Sequence, residues 1–546
     1  MEIQGTSSGL HGANEDRAPL SSFWEESRET IRALRAEEAS LQDEILAMLQ
    51  RLAQVKSDIR ETEYRFAIAK VSMSPIERLP PEILQSIFIR LADLDECTSA
   101  SEIRYSKLSI WTVAQVSSTW RNVALSLPSL WSRLWYNMRW DKPRPAQVFS
   151  SAPSPPPAPA TPHHINLLQT LFKRSSPHPV TLSISADDPF LTRDSDIPGR
   201  VTSILDSHAE RIANLIFISK FPGGLRPLFE SEALSRLTSL ESLTFEFRGV
   251  KNAPIFQTFS NIRSIRKLKL DIPEAHPFMF PVQWSNITTL DVTLCGEQRE
   301  LLLQFAHLLR LCVNIERATF SLRKEALQPR RVPVELAETM DRSLGTDCLL
   351  AKLETLSLTV VGDAPLDAMM RGLRMPHLVN LNLHQDLSHL SLLRRTVRDL
   401  KNIRNLSIYS PFPPVDYTPL RQFLEDLPDI EGLRIKVDNE LELIRMLNLP
   451  SRVGDLETPA CTARPPLVPH LRRLSMWLHK PLRDEGMQEF DAMVQSRYDY
   501  CGTDRPFFLR VYVDKTKLHS SWLKATLEEH FGDAVDVVEA SPYKNW

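Results

Sequence analysis

Apolar residues follow a heptad pattern in the first part of the chain. Between Phe23 and Lys70 there is no proline or glycine, and apolar side chains recur at the a and d positions of a seven-residue repeat. The a positions are Ile31, Glu38, Ile45, Leu52, Ile59 and Phe66, and the d positions are Leu34, Leu41, Met48, Val55, Thr62 and Ala69. Ten of these twelve residues are apolar, which predicts one helix over residues 23–72 with a coiled-coil seam about 58 Å long. Two uses of the seam are open: self-association with a second chain, or packing against the rest of the same chain.

Shorter amphipathic helices are predicted over residues 74–135. Leu79-Pro80-Pro81-Glu82 is typical of a helix start, because proline fits the first turn. The apolar residues that follow at helical spacing are Ile83, Leu84, Ile87, Phe88 and Leu91. A polar stretch, Asp93–Lys107, separates them from a second helical segment, Ile110–Ala124. The pattern therefore predicts a small helical module.

From about residue 180 a short apolar phrase recurs. An apolar residue is followed after two positions by a second apolar residue, and after one more position by a third. The ten copies are Ile212/Leu215/Phe217, Leu240/Leu243/Phe245, Ile265/Leu268/Leu270, Ile287/Leu290/Val292, Ile315/Ala318/Phe320, Leu353/Leu356/Leu358, Leu378/Leu381/Leu383, Ile403/Leu406/Ile408, Ile430/Leu433/Ile435 and Leu471/Leu474/Met476. Alternate residues of a strand point to the same side, so each copy predicts a short strand with one buried face. Degenerate copies lie at Val180/Leu182/Ile184 and Leu509/Val511/Val513.

The spacing of the copies predicts how they stack. Their first residues are 28, 25, 22, 28, 38, 25, 25, 27 and 41 positions apart, and seven of these nine values fall within the 20–29-residue period of leucine-rich repeats. Segments between copies, such as Arg299–Leu311 and Leu392–Leu400, predict returning helices. A single unit leaves its apolar face exposed, and stacking on its neighbours buries that face. The predicted fold class is therefore α/β: a long N-terminal helix, a small helical module, and a leucine-rich-repeat solenoid of parallel strands and helices over residues 163–546.

The predicted helical module resembles an F-box. The resemblance is carried by Leu79–Phe88, by Gln115–Ala124 with its Trp-Arg pair, and by the ending Pro128-Ser129-Leu130-Trp131, which is similar to the form in many fungal F-box proteins. It implies docking on a Skp-type adaptor that leads to a cullin–RING ubiquitin ligase, while the repeats recruit a target protein. The residues that the resemblance assigns to the adaptor are Leu79, Pro80, Ile83, Leu84, Ile87 and Phe88, supported or extended by Val116, Trp120 and Arg121.

Two segments are expected to stay outside the folded parts. Residues 1–22 are largely polar and are predicted to be disordered. Residues 143–162 contain eight prolines, which excludes a helix or a central strand and predicts a loop or linker. The linker is interpreted as an inert insertion, with a ligand for a proline-binding domain as the alternative.

Composition narrows the function classes. The net charge is −3 and no apolar run reaches the length of a membrane helix, so we expect neither a nucleic-acid nor a membrane partner. The six cysteines are widely spaced without a C-x-x-C pair, which favours free thiols in the cytoplasm or nucleus. Glycine-rich phosphate loops and the common hydrolase and metalloprotease motifs are missing from the sequence. We therefore expect no catalytic residues, no metal and no cofactor.

These observations lead to one hypothesis and one alternative. The hypothesis is a non-catalytic substrate-receptor subunit of an SCF-type ubiquitin ligase, which binds a Skp-type adaptor through the F-box and a target protein through the repeats. The alternative is a leucine-rich-repeat scaffold that dimerises through the heptad helix and has no role in ubiquitylation.

Overall fold

A computed structural model describes most of the chain. The described residues are 17–73, 79–94, 109–138, 163–186, 197–219, 225–247, 259–272, 280–295, 298–323, 348–361, 370, 373–387, 390–396, 400–410, 416–436, 440–449, 467–478, 484–501, 507–514 and 535–540. The chain is mixed α/β and divides into two compact units, residues 1–87 and 88–546. The predicted linker at 143–162 and most of the predicted disordered terminus lie outside the described residues.

One long helix dominates the first unit. Helix α1 runs from Arg17 to Met73 over 57 residues, which confirms the predicted helix and starts it earlier than residue 23. It is continuous because the segment lacks proline and glycine after its first turn. Helix α2 (Pro81–Leu94) begins in this unit and ends in the second. Pro80 sets its start, since the Pro80 carbonyl accepts from the Ile83 and Leu84 amides at 3.0 and 3.1 Å.

The second unit combines helices with a large sheet. Its described helices are α3 (Ser109–Val116), α4 (Ser118–Leu125), α5 (His163–Arg174), α6 (Ile197–Ser207), α7 (Arg226–Phe229), α8 (Gln298–Leu311), α9 (Leu390–Thr396), α10 (Thr418–Glu425), α11 (Glu440–Leu447) and α12 (Asp484–Cys501). Its described strands are β1 (Arg133–Asn137), β2 (Val180–Ser185), β3 (Ile212–Ser219), β4 (Ser242–Phe247), β5 (Lys267–Asp271), β6 (Thr289–Cys295), β7 (Arg317–Arg323), β8 (Cys348–Leu349), β9 (Thr355–Val361), β10 (Leu373–Arg374), β11 (Asn380–His384), β12 (Asn405–Tyr409), β13 (Gly432–Lys436), β14 (Arg473–Leu478), β15 (Phe508–Asp514) and β16 (Val535–Ala540).

Fourteen of these strands form one parallel sheet in sequence order. Only β8 and β10 stand apart, as a separate two-stranded parallel pair. The second and third residues of all ten apolar phrases lie on strands of the large sheet, as predicted, and the two degenerate copies lie on β2 and β15. The predicted returning helix at Arg299–Leu311 is α8, whereas the one at Leu392–Leu400 is the shorter α9.

The phrase is explained by the register of the sheet. The middle residue of each phrase pairs with the middle residue of the next, forming one column of buried side chains across all fourteen strands. The column consists of Leu134, Leu182, Leu215, Leu243, Leu268, Leu290, Ala318, Leu356, Leu381, Leu406, Leu433, Leu474, Leu509 and Val535. The first residue of each phrase, for example Leu240 or Ile430, is buried where the chain turns into its strand. The core therefore runs along the array instead of forming a single centre.

Two strands of the sheet were not predicted. Strand β1 pairs with β2, so the sheet begins before the proline-rich segment and not at residue 163. Strand β16 extends it beyond β15.

A buried arginine stabilises the last part of the array. Arg497 on α12 donates four hydrogen bonds of 2.7 to 3.0 Å to the carbonyls of Leu447, Leu467 and Val468. Burial lowers the pKa of Arg497 to about 10, so the guanidinium is still charged at neutral pH. Val468 has φ 45°, a left-handed conformation that is unfavourable for a β-branched residue, and Arg497 holds its carbonyl in place.

Candidate functional site

The apolar stripe of α2 is divided between the interior and the surface. Leu84 and Phe88, which the resemblance assigned to the adaptor, are almost fully buried within the single chain. A helical period identifies an apolar stripe without indicating what covers it. Ile83 is 48% exposed, and Ile87 is half-buried. These two residues share a flank of α2, since positions four apart lie one above the other.

Helices α3 and α4 are joined by a short capped turn. Ser117 is the N-cap of α4, and its hydroxyl accepts from the Trp120 amide at 3.2 Å. Trp120 is buried with its ring centroid 5.2 Å from that of Phe88, so its side chain packs in the interior, where it can support the residues around it. Arg121 is exposed and donates from Nε to the Ala114 carbonyl at 2.9 Å, which ties α4 to α3.

The exposed apolar residues include two that the sequence did not single out. Val116, at the end of α3, is 53% exposed. Ile89 on α2 and Leu125 on α4 are also exposed. Neither residue lies on the apolar stripe from which the docking residues are predicted. The only feature of the sequence that could identify them is that each is an apolar residue outside this stripe. Of the other assigned residues, Pro80 is exposed and Leu79 is half-buried.

Aromatic and arginine contacts join the end of this helical region to the sheet. The Trp131 indole donates to the Ala124 carbonyl at 2.8 Å and lies edge-on to Trp111, with 5.4 Å between ring centroids. The Arg174 guanidinium of α5 lies 5.1 Å from the Trp131 ring centroid. Arg133 on β1 donates to the Ala92 carbonyl of α2. The C-terminal part of α2 is thereby held against the first strand.

The second candidate surface is the polar face of the sheet, defined as the strand residues that alternate with the buried column. On β4–β6 it carries Glu246, Asp271 and Asp291 around Lys269, whose Nζ lies 2.9 Å from Glu246 Oε1. Burial alone would lower the pKa of Lys269, but the hydrogen bond to Glu246 and the neighbouring carboxylates raise it above its ordinary value. Burial raises the pKa of Asp291, and the Lys269 charge only partly opposes this. This part of the face thus carries three carboxylates and, counting Lys267 on the same face of β5, two lysines.

Amide side chains form a hydrogen-bonded ladder across β9–β14. Asn380 donates to Thr355 Oγ1 at 3.1 Å, and Asn405 donates to Asn380 Oδ1 at 2.8 Å. Arg473 then reaches over Gly432 and donates to Asn405 Oδ1 at 3.1 Å. A Cβ at Gly432 would lie only 2.6 Å from Asn405 Oδ1, so glycine lets the Asn405 side chain keep this position.

Aromatic rings and a lysine form a row on β11–β15. His384 and Tyr409 meet edge to face with 4.0 Å between centroids, and Trp477 and Tyr512 are stacked at 4.0 Å. The buried Lys436 ammonium lies between them, 4.6 Å from the Tyr409 ring centroid and 5.4 Å from that of Trp477. Burial, and then the charge of Lys436, lowers the pKa of His384, so this imidazole is neutral at pH 7.

Arginines border this row. The Arg434 guanidinium lies 5.6 and 5.4 Å from the ring centroids of Trp477 and Tyr512. Arg510 makes a 2.8 Å ion pair with Asp536, and Arg473 adds a further exposed guanidinium. The end of the polar face is thus cationic and aromatic, a combination suited to protein recognition.

The cysteines of the described residues are not grouped with one another or with metal-ligating side chains. Cys295, Cys312, Cys348 and Cys501 are free thiols, and burial raises the pKa of Cys312 to about 12. Within the described ranges no group of three or more histidine, cysteine, aspartate or glutamate side chains could hold a metal ion. No described helix has the length and apolarity needed to cross a membrane.

The comparisons with known proteins concern the helical region. A search of the curated proteins finds no match to this sequence. Residues 76–137, which include α2, α3, α4 and β1, match the F-box-like family model. The chain therefore carries an F-box-like domain at the position where the sequence resemblance placed it.

Proposed function

We propose that the chain is a non-catalytic substrate-receptor subunit of an SCF-type ubiquitin ligase. The observation that carries the proposal is the F-box-like match at residues 76–137, because F-box domains bind Skp-type adaptors. The adaptor would bring the chain to a cullin–RING ligase working in the cytosol or nucleus. The chain itself would contribute proximity, since tethering a target near the ligase raises the effective concentration of the target's lysines.

The adaptor would dock on exposed apolar side chains of the F-box-like domain. Ile83 and Val116 are the strongest of these, because both were assigned from the resemblance and both are about half exposed. Apolar anchors that enter pockets of a partner dominate the affinity of most interfaces. Leu84, Phe88 and Trp120 would support the docking residues from the interior.

The sheet would hold the target. We interpret the sequential parallel strands and the 20–29-residue spacing as a leucine-rich-repeat solenoid. Its polar face offers the charged cluster around Lys269 on β4–β6 and the cationic, aromatic row around Lys436 on β11–β15. The row on β11–β15 favours a target segment that carries acidic side chains.

The test measures adaptor binding by full-length variants. Ile83→Glu and Val116→Glu should each weaken binding of a purified Skp-type adaptor more than tenfold, which is the order expected for a hot-spot residue. Val313→Glu is the matched control, because Val313 on the array is 55% exposed and should leave binding unchanged. Substitution of Leu84 or Phe88 is uninformative, since a charge at a buried position would unfold the domain.

The proposal is overturned if the wild-type chain does not bind a competent adaptor in isothermal titration calorimetry. It is also overturned if all three variants bind as well as wild type. The chain would then be a scaffold whose partners are set by the sheet and the heptad helix.

A further inference from the structure

The heptad seam of α1 is exposed in the single chain. Its large apolar residues range from 46% exposed at Val55 to 71% at Phe66. Over residues 31–69 the described residues of its own unit therefore leave the seam uncovered. An exposed apolar stripe about 58 Å long has a large hydrophobic driving force for association, and most of the stability of helices in proteins comes from packing such a face.

The two polar seam residues determine how a second copy would fit. In a parallel, in-register pair, Glu38 would face Glu38 of the second copy inside an apolar layer, where two unpaired carboxylates are costly. In an antiparallel pair that places Ile31 opposite Ala69, Glu38 faces Thr62 instead. Thr62 can enter this layer cheaply, because its hydroxyl already donates to the Asp58 carbonyl at 2.8 Å. The antiparallel arrangement thus combines both polar positions in the same layers.

The remaining layers of the antiparallel arrangement are apolar throughout. The pairs across the axis are Ile31–Ala69, Leu34–Phe66, Leu41–Ile59, Ile45–Val55 and Met48–Leu52, each occurring twice. In every pair the two residue numbers add up to 100, so a single register aligns the whole seam.

The charged residues beside the seam also favour the antiparallel pair. A parallel pair would place Arg51 next to Lys56 and Asp58 next to Glu63, which are like-charge contacts. The antiparallel pair places Arg35 next to Glu63, an opposite-charge contact that occurs twice.

A second opposite-charge contact, Glu37 with Arg65, also occurs twice in the antiparallel pair. Two like-charge contacts remain in the antiparallel pair: Glu44 with Asp58, and Arg51 with Arg51 of the second copy. The preference for the antiparallel pair therefore comes mostly from the core layer of Glu38 and Thr62.

We propose that α1 binds α1 of a second copy of this chain as an antiparallel two-stranded coiled coil in this register. The two chains leave the rod at opposite ends, about 58 Å apart, so two adaptors and two targets would be carried without competing for space. The inference does not depend on the proposed ligase function.

The first experiment determines the mass of the full-length protein by size exclusion with light scattering. The expected species has twice the 62.4 kDa chain mass. A monomer at micromolar concentration, or a mass of three or more chains, overturns the proposal.

A charge pair at residue 62 then tests the orientation. Thr62→Lys places a cation opposite Glu38 in the antiparallel pair and should preserve the dimer, whereas Thr62→Glu should weaken it more than tenfold. In a parallel pair both variants place like charges opposite each other, so equal weakening would refute the antiparallel arrangement. Adaptor binding by Thr62→Glu is measured alongside, and it should be unchanged.

Cross-linking provides an independent readout of the same point. An Ile31→Cys chain mixed with an Ala69→Cys chain should form disulfide-linked heterodimers on mild oxidation, with wild type as the control for native cysteines. Cross-linking of Ile31→Cys chains to one another would indicate parallel helices and overturn the proposal.

Discussion

Gly432 lies at the centre of the ladder on the polar face, and its replacement by alanine is a direct test of how that face is built. The alanine Cβ would lie 2.6 Å from Asn405 Oδ1, which is too short for any carbon–oxygen contact. The backbone is fixed by pairing with the strands on both sides, so the Asn405 side chain has to move. Movement breaks its hydrogen bonds with Asn380 at 2.8 Å and with Arg473 at 3.1 Å.

The magnitude follows from these two bonds. A hydrogen bond contributes about 1 kcal/mol, so loss of the half-buried bond with Asn380 and the exposed bond with Arg473 costs about 2 kcal/mol. Alanine also lowers the conformational entropy of the unfolded chain, which stabilises the folded state by about 0.4–1 kcal/mol. We therefore expect Gly432→Ala to lower the free energy of local unfolding by about 1–1.5 kcal/mol.

A double-mutant cycle separates the side-chain contact from backbone effects. In an Asn405→Ala background the obstructing atom is gone, so Gly432→Ala should be neutral or stabilising by about 0.4–1 kcal/mol. Because sequential arrays unfold in parts, the appropriate assay is amide hydrogen exchange of β12–β14 followed by mass spectrometry. An equal cost of Gly432→Ala in both backgrounds would refute the reasoning, since the backbone and not Asn405 would then exclude the Cβ.

Three further predictions concern buried polar groups. Arg497→Met leaves three carbonyls without their donor and should destabilise the end of the array by about 3 kcal/mol in amide exchange, while Arg421→Met, at an exposed ion pair, should cost less than about 0.5 kcal/mol. Cys312 should be the last described cysteine alkylated by iodoacetamide in the native protein at pH 8, because burial keeps its thiol protonated; equal rates for all would contradict this. Since the pKa of Asp291 is raised, the folded state retains its proton to higher pH than the unfolded state, and the contribution of Asp291 to stability falls as pH rises above about 4. Asp291→Asn should remove this dependence and raise the melting temperature at pH 7, measured by scanning calorimetry between pH 4 and 7.

The strands of the array could be predicted because their signal is local. Each phrase places two alternating apolar residues and a turn residue within six positions, and repetition makes the register unambiguous. Strand β1 has the same alternation in Leu134 and Tyr136, but it directly follows the helical segment and precedes the prolines, so its position in the sequence favours the helical module. Strand β16 follows β15 only after a long interval and has no full phrase.

The contacts on the polar face could not be predicted, because they join residues far apart in the sequence. Trp477 and Tyr512 stack across neighbouring strands, and Arg473 reaches Asn405 past an intervening strand. Such contacts follow from register and from the absence of a side chain at Gly432. Neither is visible before the strands are aligned.

The same helical period has opposite consequences in α1 and α2, and this difference separates the two association sites. In α2 the centre of the apolar stripe, Leu84 and Phe88, is buried, so only flanking residues such as Ile83 remain for a partner. In α1 the whole stripe is exposed, so the entire seam remains for a partner of matching length. A short flank suits a surface that is supplied by a different protein, whereas a twelve-residue seam that satisfies one antiparallel register suits a copy of itself. Adaptor binding and self-association should therefore respond to different substitutions: Ile83→Glu should abolish the first and leave the dimer intact, and Thr62→Glu should do the reverse. Loss of both by either variant would show that the two surfaces are coupled.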